Sequence, residues 1–153
     1  MSKVVISDTS CFIILSKINE LELLHKVYEN ILTTPEIVAE YGEALPEWIE
    51  IVSVQDKYKQ QLFEMQLGKG ESSAMALSLE IPGSILIIDD YKARKTAEIL
   101  NLKFIGTIGL IIKAKLDGVI PSVNPLLQKI KLTNFRLSTD LEQYVLKEAG
   151  EYS

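Results

Sequence analysis

The feature that most constrains the fold is a short apolar run that ends at two aspartates. Residues Ile85–Ile88 follow the turn signal Pro82-Gly83 and stop at Asp89-Asp90. A run of branched aliphatic residues between turn signals is typical of a strand that is buried on both faces of a parallel sheet. In open α/β sheets, ligands bind just beyond the carboxyl ends of such strands. The run therefore predicts a central strand with an acidic pair at the edge of the sheet where ligands bind.

Other short apolar runs alternate with helical patterns along the chain. Strands are predicted at residues 4–6, 30–32, 49–54, 85–88 and 103–105, and the last helices at 108–116, about 125–132 and 140–149. Strands that alternate with helices favour a parallel sheet covered on both faces. We therefore expect an α/β fold, a three-layer α/β/α sandwich with a central parallel five-stranded sheet. A single domain should span residues 1–153, with the C-terminal helices from about residue 124 packed on it.

Composition excludes several classes of protein. The lone cysteine, Cys11, rules out a disulfide framework and a cysteine-based zinc site, and it favours a reducing, cytoplasmic setting. No apolar run approaches the length of a membrane span, and no signal peptide is visible, so we expect no membrane partner. The segment Gly106–Gly109 lacks the lysine and the spacing of a P-loop. With His25 as the only histidine, on an amphipathic helix, a Ser-His-Asp triad has no support.

Charge is distributed unevenly along the chain. Residues 91–136 contain 9 Lys/Arg and 2 Asp/Glu, whereas residues 1–90 contain 6 Lys/Arg and 15 Asp/Glu. A basic segment of this kind indicates a polyanionic partner, although a set of solvated helix faces would give the same count.

Further acidic residues stand where predicted strands end or helices begin. Asp8 follows the first strand, and Glu40 lies in the second turn of the helix that starts at Pro35. Glu71 opens a helix directly after Gly68-Lys69-Gly70, which is predicted to break the preceding helix. If the first and fourth strands are neighbours, Asp8 meets Asp89-Asp90 at one sheet edge. Mg²⁺ prefers oxygen ligands, and it typically takes one or two carboxylates with water and phosphate oxygens. Two ions about 4 Å apart can activate a water for phosphodiester hydrolysis. The alternative is a set of unrelated helix caps and solvated acids, and spacing alone leaves both interpretations open.

The order of these residues resembles the PIN-domain family of metal-dependent ribonucleases, which includes the toxins of many toxin–antitoxin pairs. The matching segments are ISDTS (6–10), TPEIVAE (34–40), GESSAMAL (70–77), LIIDD (86–90), Ala93-Arg94 and GTIG (106–109), so the resemblance covers nearly the whole chain. Their order and spacing are more specific than any single segment. The resemblance implies a five-stranded parallel sheet between helices, with the acids gathered at the C-terminal edge of the strands.

The resemblance also implies roles for individual residues. It gives Asp8, Glu40, Glu71 and Asp90 as the catalytic set, and Asp8, Glu40, Asp90 and Asp89 as the ligands of Mg²⁺ or Mn²⁺. The family commonly has an aspartate at the position of Glu71, so this carboxylate would reach one methylene further. Asp89 is either a second ligand or faces away. Ser10 and Thr107 match hydroxyl positions that often line the pocket, and either is also a plausible helix cap.

We therefore expect a Mg²⁺- or Mn²⁺-dependent endoribonuclease. Lys92, Arg94 and Lys95 are expected to bind the RNA backbone, unless they form a solvated helix face. The expected partners are RNA, a second copy in a homodimer and, if the protein is a toxin, a cognate antitoxin. One alternative is a non-catalytic, metal-dependent module that binds RNA or protein on the same fold. Another is a receiver-like phosphoacceptor, which also gathers acids at strand ends.

Overall fold

Five parallel strands form a single sheet in the computed structural model, which describes residues 4–151. The strands are β1 (Val4–Ser7), β2 (Asn30–Thr33), β3 (Ile49–Ile51), β4 (Ile85–Ile87) and β5 (Lys103–Ile105). Their spatial order is β3-β2-β1-β4-β5, and every neighbouring pair is parallel. The predicted five-stranded parallel sheet is therefore confirmed, and β1 lies at its centre.

The helices within residues 4–151 pack around the sheet and against one another. They are α1 (Thr9–Lys17), α2 (Leu23–Val27), α3 (Pro35–Tyr41), α4 (Lys57–Glu64), α5 (Lys69–Glu80), α6 (Tyr91–Ile99), α7 (Thr107–Leu116), α8 (Asn124–Lys131) and α9 (Thr139–Glu148). The helices α3 and α4 pack against α5, whereas α1 and α2 pack against α7, which also contacts α9. This arrangement confirms the three-layer α/β/α sandwich. None of the helices between residues 4 and 151 combines the length and the apolar character that a membrane crossing needs.

The central strands are buried on both faces because nearly all of their side chains are apolar. Ile6 on β1 and Leu86 on β4 are both 0% exposed, and the two residues are paired in register. Phe12 of α1 and Met75 of α5 are also completely buried. Close packing of this kind leaves little freedom to the backbone, so the residues that follow β1 and β4 are held in fixed positions.

The topology places a crevice at the carboxyl ends of β1 and β4. From β1 the chain moves outward to β2 and β3, and it then returns to the other side of β1 to form β4 and β5. Helical connections that leave adjacent strands in opposite directions open a crevice between them, which is where open α/β sheets bind ligands. Asp8 follows β1 and Asp89 follows shortly after β4, so both residues lie at this crevice.

Several predicted element boundaries differ from the structure, most of them by one residue. The strand predicted at 49–54 ends at Ile51, which is 54% exposed because β3 is the edge strand of the sheet. The final helix is capped by Ser138, whose hydroxyl oxygen accepts a hydrogen bond from the Leu141 N–H at 3.1 Å, so the helix begins at Thr139 and not at residue 140. The helix predicted to open at Glu71 begins at Lys69. The outer ends of the predicted domain, residues 1–3 and 152–153, lie outside the described residues, and the single-domain assignment stays a prediction.

Candidate active site

Asp8 joins three elements of the fold through its side chain. It is 3% exposed at the junction of β1 and α1. Its Oδ1 accepts a hydrogen bond from the Cys11 N–H at 2.9 Å, which makes Asp8 the N-cap of α1. Its Oδ2 accepts one from the Asp89 N–H at 3.2 Å. Asp8, rather than Thr9 or Ser10, therefore caps the helix, and its second oxygen faces the end of β4.

The Asp8 carboxylate lies in an unfavourable electrostatic environment. The pKa of Asp8 is raised from 3.8 to about 7, first by burial and then by the nearby carboxylates of Asp89 and Glu71, against the lowering effect of the two N–H donors. No ion pair found within residues 4–151 includes Asp8. A cation bound beside this side chain would stabilise its charged form.

Glu40 reaches the crevice from α3. Its Oε1 accepts a hydrogen bond from the Thr9 hydroxyl at 2.6 Å, and its Oε2 accepts one from the Gly70 N–H at 3.1 Å. A Cβ atom at position 70 would lie 2.3 Å from Oε1 of Glu40, closer than non-bonded atoms approach. Gly70 is therefore required for this contact, which links α3 to the first turn of α5.

Glu71 approaches from the first turn of α5. Its Oε1 accepts a hydrogen bond from the Gly68 N–H at 3.3 Å, so it caps the helix to which it belongs. The pKa of Glu71 is raised, first by burial and then by the carboxylates of Asp90 and Glu40. Its neighbours therefore include acids from both sides of the crevice.

A single cleft collects side chains from these elements. It has a volume of about 240 Å³ and is lined by Asp8, Thr9, Ser10, Glu40, Gly68 and Glu71. Three carboxylates that are far apart in sequence thus face one small volume at the edge of the sheet. We call this volume the carboxylate cleft.

The two aspartates after β4 have different surroundings. Asp89 is half-buried, and its Oδ1 and Oδ2 accept hydrogen bonds from the Thr107 N–H at 2.8 Å and the Thr107 hydroxyl at 2.6 Å. Asp90 is exposed and caps α6, because its Oδ2 accepts from the Ala93 N–H at 3.0 Å. Thr107 therefore orients Asp89. Because Thr107 is 0% exposed, its side chain does not reach solvent.

The basic residues of α6 fall into two groups. Lys92 and Lys95 are exposed, and the Lys95 ammonium lies 5.3 Å from the centroid of the Tyr91 ring. Arg94 is half-buried, with its guanidinium carbon 5.1 Å from the centroid of the Phe104 ring. Arg94 is thus held by an aromatic contact and does not belong to a solvated helix face.

Several residues that shape the site were not predicted from the sequence. Thr9 and Gly70 hold Glu40, and Lys69 lines a groove of about 610 Å³ together with Glu40 and Lys57. The signal for Gly70 was available in the pair Gly68 and Gly70, since a glycine inside a helix often marks a close approach of another group. Because the two glycines were interpreted as a helix break, Gly70 was not predicted to lie within a helix.

Glu36, which precedes Glu40 by one helical turn, does not line the carboxylate cleft. Its Oε2 accepts a hydrogen bond from the Gln60 side-chain amide at 2.7 Å and lies 3.6 Å from the Lys57 ammonium. Burial is the largest single influence and raises the pKa of Glu36, but the Gln60 amide and the Lys57 ammonium together outweigh it, so that the pKa is lowered. Glu36 is therefore a suitable control for Glu40 in mutagenesis, because both glutamates lie on α3 and only Glu40 lines the carboxylate cleft.

The donor chemistry of the carboxylate cleft fits a hard divalent cation. Every side-chain donor around it is oxygen, from carboxylates and hydroxyls. Between residues 4 and 151, no group of three or more His, Cys, Asp or Glu side chains is placed to hold a metal by itself. Mg²⁺ does not need such a set, because it commonly binds one or two carboxylates and keeps several waters. Asp8 and Glu40 are the residues that would hold it, with lone pairs left over after the bonds described above.

Comparison with protein families gave a match that covers the described chain. A family model described as a PIN domain matches residues 4–151, which are all of the residues that the structure describes. Neither the curated proteins nor the solved structures gave a match.

Proposed function

Because the chain belongs to the PIN-domain family, whose members are generally nucleases, we propose that it is a Mg²⁺- or Mn²⁺-dependent endoribonuclease that hydrolyses RNA phosphodiester bonds. The observation that carries the proposal is the carboxylate cleft, in which Asp8, Glu40 and Glu71 face one volume. None of the three has an ion-pair partner within residues 4–151. Carboxylates gathered in this way repel one another, so the cleft favours a cation over a neutral or anionic ligand.

Each side chain of the cleft has a distinct role in this proposal. Asp8 and Glu40 hold the ion, and their backbone and hydroxyl donors fix the direction of the carboxylates. When bound, the ion lowers the pKa of a water and polarises the phosphoryl oxygen. Glu71 accepts a proton from the attacking water at Oε2, the oxygen that is not bonded to Gly68. Its raised pKa brings this carboxylate nearer to the working pH, as a general base requires.

Asp89 and Asp90 act from the opposite side of the crevice. Asp89 raises the pKa of Asp8, and Asp90 raises that of Glu71, so the pair adds negative charge next to both residues. In the proposed mechanism this charge strengthens cation binding. Asp89 is restrained by its two bonds from Thr107, whereas Asp90 is exposed and accessible to an ion or to its water shell.

Cleavage of RNA in the presence and absence of divalent metal tests the proposal. We expect the wild-type protein to cut RNA oligonucleotides in Mg²⁺ or Mn²⁺ and to be inactive in EDTA. Asp8→Asn and Glu71→Gln should abolish cleavage in folded protein, whereas Glu36→Gln should leave it intact because Glu36 lies outside the cleft. Metal-dependent RNA binding without cleavage would instead favour the non-catalytic module, and stable aspartyl phosphorylation by a small phosphodonor would favour the phosphoacceptor.

The biological setting stays a prediction. It comprises a cytoplasmic location, a homodimer and, if the enzyme is a toxin, a cognate antitoxin. The buried, free thiol of Cys11 fits a reducing compartment. Size-exclusion chromatography with light scattering would decide between a monomer and a dimer.

A further inference from the structure

An aromatic cavity lies on the C-terminal side of the crevice. It has a volume of about 420 Å³ and forms between β5, α7 and the C-terminal segment. Its walls include Asp89, Arg94, Phe104, Phe135, Leu141 and Tyr144. Both the size and the mixture of aromatic walls with a few polar groups are typical of a ligand site.

This aromatic cavity is linked to the carboxylate cleft through residues that line neighbouring cavities. A second cavity of about 230 Å³ lies between them and is lined by Ser10, Lys17, Asp89 and Phe135, among others. It shares Ser10 with the carboxylate cleft, and it shares Asp89 and Phe135 with the aromatic cavity. A flexible chain bound in the cleft can therefore extend along the surface into the aromatic cavity.

Arg94 is a polar group of the aromatic cavity and lies near Asp89, which also lines the connecting cavity. A Cβ atom at Gly106 would lie 2.8 Å from Oδ1 of Asp89 and 3.8 Å from Nη1 of Arg94, so both side chains border the same glycine. The Arg94 guanidinium is at the same time held over the Phe104 ring. A guanidinium fixed in this way presents a planar donor surface beside the aromatic walls.

We propose that the aromatic cavity binds an unpaired nucleobase of the RNA strand that is cut at the carboxylate cleft; this inference rests on the proposed function. Nucleobases stack on aromatic rings and on arginine planes, and an unpaired base can leave its strand to do so. Charge favours RNA as the occupant, because Arg94 lines the aromatic cavity and Lys17 lines the connecting cavity, where both can attract a phosphate backbone. The cavity makes the enzyme selective for unpaired nucleotides, since a base within a duplex cannot enter it.

The experiment compares intact RNA with RNA that lacks one base. A single-stranded oligonucleotide is prepared as a series with one abasic nucleotide at each position, and its affinity is measured by fluorescence anisotropy in EDTA, where no cleavage is expected. The same series is then cut in Mg²⁺ to obtain kcat/KM. The variants are Tyr144→Ala and Arg94→Lys, and the matched control is Tyr58→Ala. Tyr144 is 56% exposed and Tyr58 is 72% exposed, so both truncations should leave the fold intact, and Tyr58 does not line the cavity.

One position of the strand should be sensitive to base removal, with a loss of affinity of about tenfold or more. Tyr144→Ala should weaken binding of intact RNA to a similar extent and should have no further effect on RNA that is abasic at that position. Arg94→Lys keeps the positive charge but loses the planar stack, so it should behave in the same way. Tyr58→Ala should match the wild type on every substrate.

The outcomes separate this inference from the proposed function. If RNA is cleaved but Tyr144→Ala and Arg94→Lys treat intact and abasic RNA as the wild type does, the nucleobase site is overturned and the nuclease stands. A cavity reserved for a protein partner would give this result. If no metal supports cleavage but base-dependent binding through Tyr144 is present, the nuclease fails and the base site stands. Absence of any RNA binding overturns both.

Discussion

The Asp8 carboxylate accepts a hydrogen bond at 3.2 Å from the backbone N–H of Asp89, 81 positions further along the chain. Its other oxygen accepts the Cys11 N–H, so one side chain fixes the end of β1 to the end of β4 and also starts α1. The helix-cap and metal-site interpretations of Asp8 are therefore compatible with each other. They differ in how its removal should depend on pH and on metal.

The first prediction concerns the pH dependence of stability in EDTA. The pKa of Asp8 is raised from 3.8 to about 7 in the folded protein, so between these values the folded state binds more protons than the unfolded state. The free energy of unfolding should therefore fall as pH rises through this window and stay low above it. Asp8→Asn removes the charge, so it should flatten this slope and be at least as stable as the wild type at pH 8. Urea unfolding between pH 4.5 and 8 measures the pH slope of each protein and the difference in their stability at pH 8.

The gain in stability of Asp8→Asn over the wild type should disappear at low pH. Near pH 5 the wild-type Asp8 carboxyl is largely protonated, so its charge no longer destabilises the fold. The asparagine amide has only one acceptor oxygen, so it cannot accept hydrogen bonds from both the Cys11 and the Asp89 N–H groups. The loss of the Asp89 bond costs about 1–3 kcal/mol. The control is Asp56→Asn, since Asp56 is an exposed N-cap that accepts from the Lys59 N–H at 3.0 Å outside the cleft. That variant should retain the slope. A pH-independent loss of stability in Asp8→Asn would reduce Asp8 to a cap.

The second prediction concerns stabilisation by metal. An ion that binds only the folded state raises the free energy of unfolding by roughly 2.7 kcal/mol at a hundredfold excess over Kd. We expect the wild type to show this gain in Mn²⁺ and Asp8→Asn to show much less. Glu36→Gln should keep the full gain, because the Glu36 carboxylate bonds to Gln60 and Lys57. Thermal melts in EDTA and in Mn²⁺ provide the comparison, and equal gains for all three proteins would exclude Asp8 as a ligand.

The third prediction concerns Gly70. Alanine is favoured over glycine inside a helix by about 1 kcal/mol, but a Cβ at position 70 would lie 2.3 Å from Oε1 of Glu40. Gly70→Ala should therefore displace Glu40 from the cleft, with weaker Mn²⁺ stabilisation and lower RNA cleavage, while the metal-free stability changes by no more than about 1 kcal/mol. In the control Gly109→Ala, the new Cβ would lie 3.5 Å from Cβ of Ile105, an ordinary contact. This control should keep the full stabilisation by Mn²⁺. If Mn²⁺ also stabilises Gly70→Ala to the full extent, the role given to Glu40 is contradicted.

The sheet was predictable from the sequence because its central strands are almost wholly apolar and are followed by acids. Ile85–Ile88 indicated a strand buried on both faces, and Asp8 and Asp89 marked the ends of two strands. That β1 and β4 are neighbours could only be stated as a condition, since periodicity carries no information on strand order. The pairing of Ile6 with Leu86 meets this condition.

The parts of the site that sequence could not provide depend on tertiary contacts. Gly70 was interpreted as a helix break because glycine has a low helix propensity, yet it lies within α5, where Glu40 occupies the space of a side chain. Thr107 was given as a pocket residue or a cap, whereas its hydroxyl donates to Asp89 from the first turn of α7. Arg94 was grouped with Lys92 and Lys95 by charge alone, because its contact with Phe104 on β5 is not visible in the sequence.

The last prediction separates these basic residues by the salt dependence of RNA binding. For single strands, the slope of log K against log salt concentration changes by about 0.7 for each phosphate contact. Lys92 and Lys95 are exposed on α6, so the double change Lys92→Ala/Lys95→Ala should lower the magnitude of the slope by up to about 1.4, equally for intact and abasic RNA.

Arg94 should respond differently because its guanidinium is held over Phe104 at the aromatic cavity. Arg94→Lys retains the charge, so the salt slope should be nearly that of the wild type while the base-dependent affinity falls. Arg94→Ala should lower both the magnitude of the salt slope and the base-dependent affinity. The control Lys26→Ala/Lys59→Ala removes two exposed lysines from α2 and α4 and should leave the slope unchanged. If the Lys92/Lys95 variant keeps the wild-type slope at salt concentrations from 50 to 200 mM, as titrated by anisotropy, these lysines do not contact phosphate and the RNA strand must leave the crevice along another path.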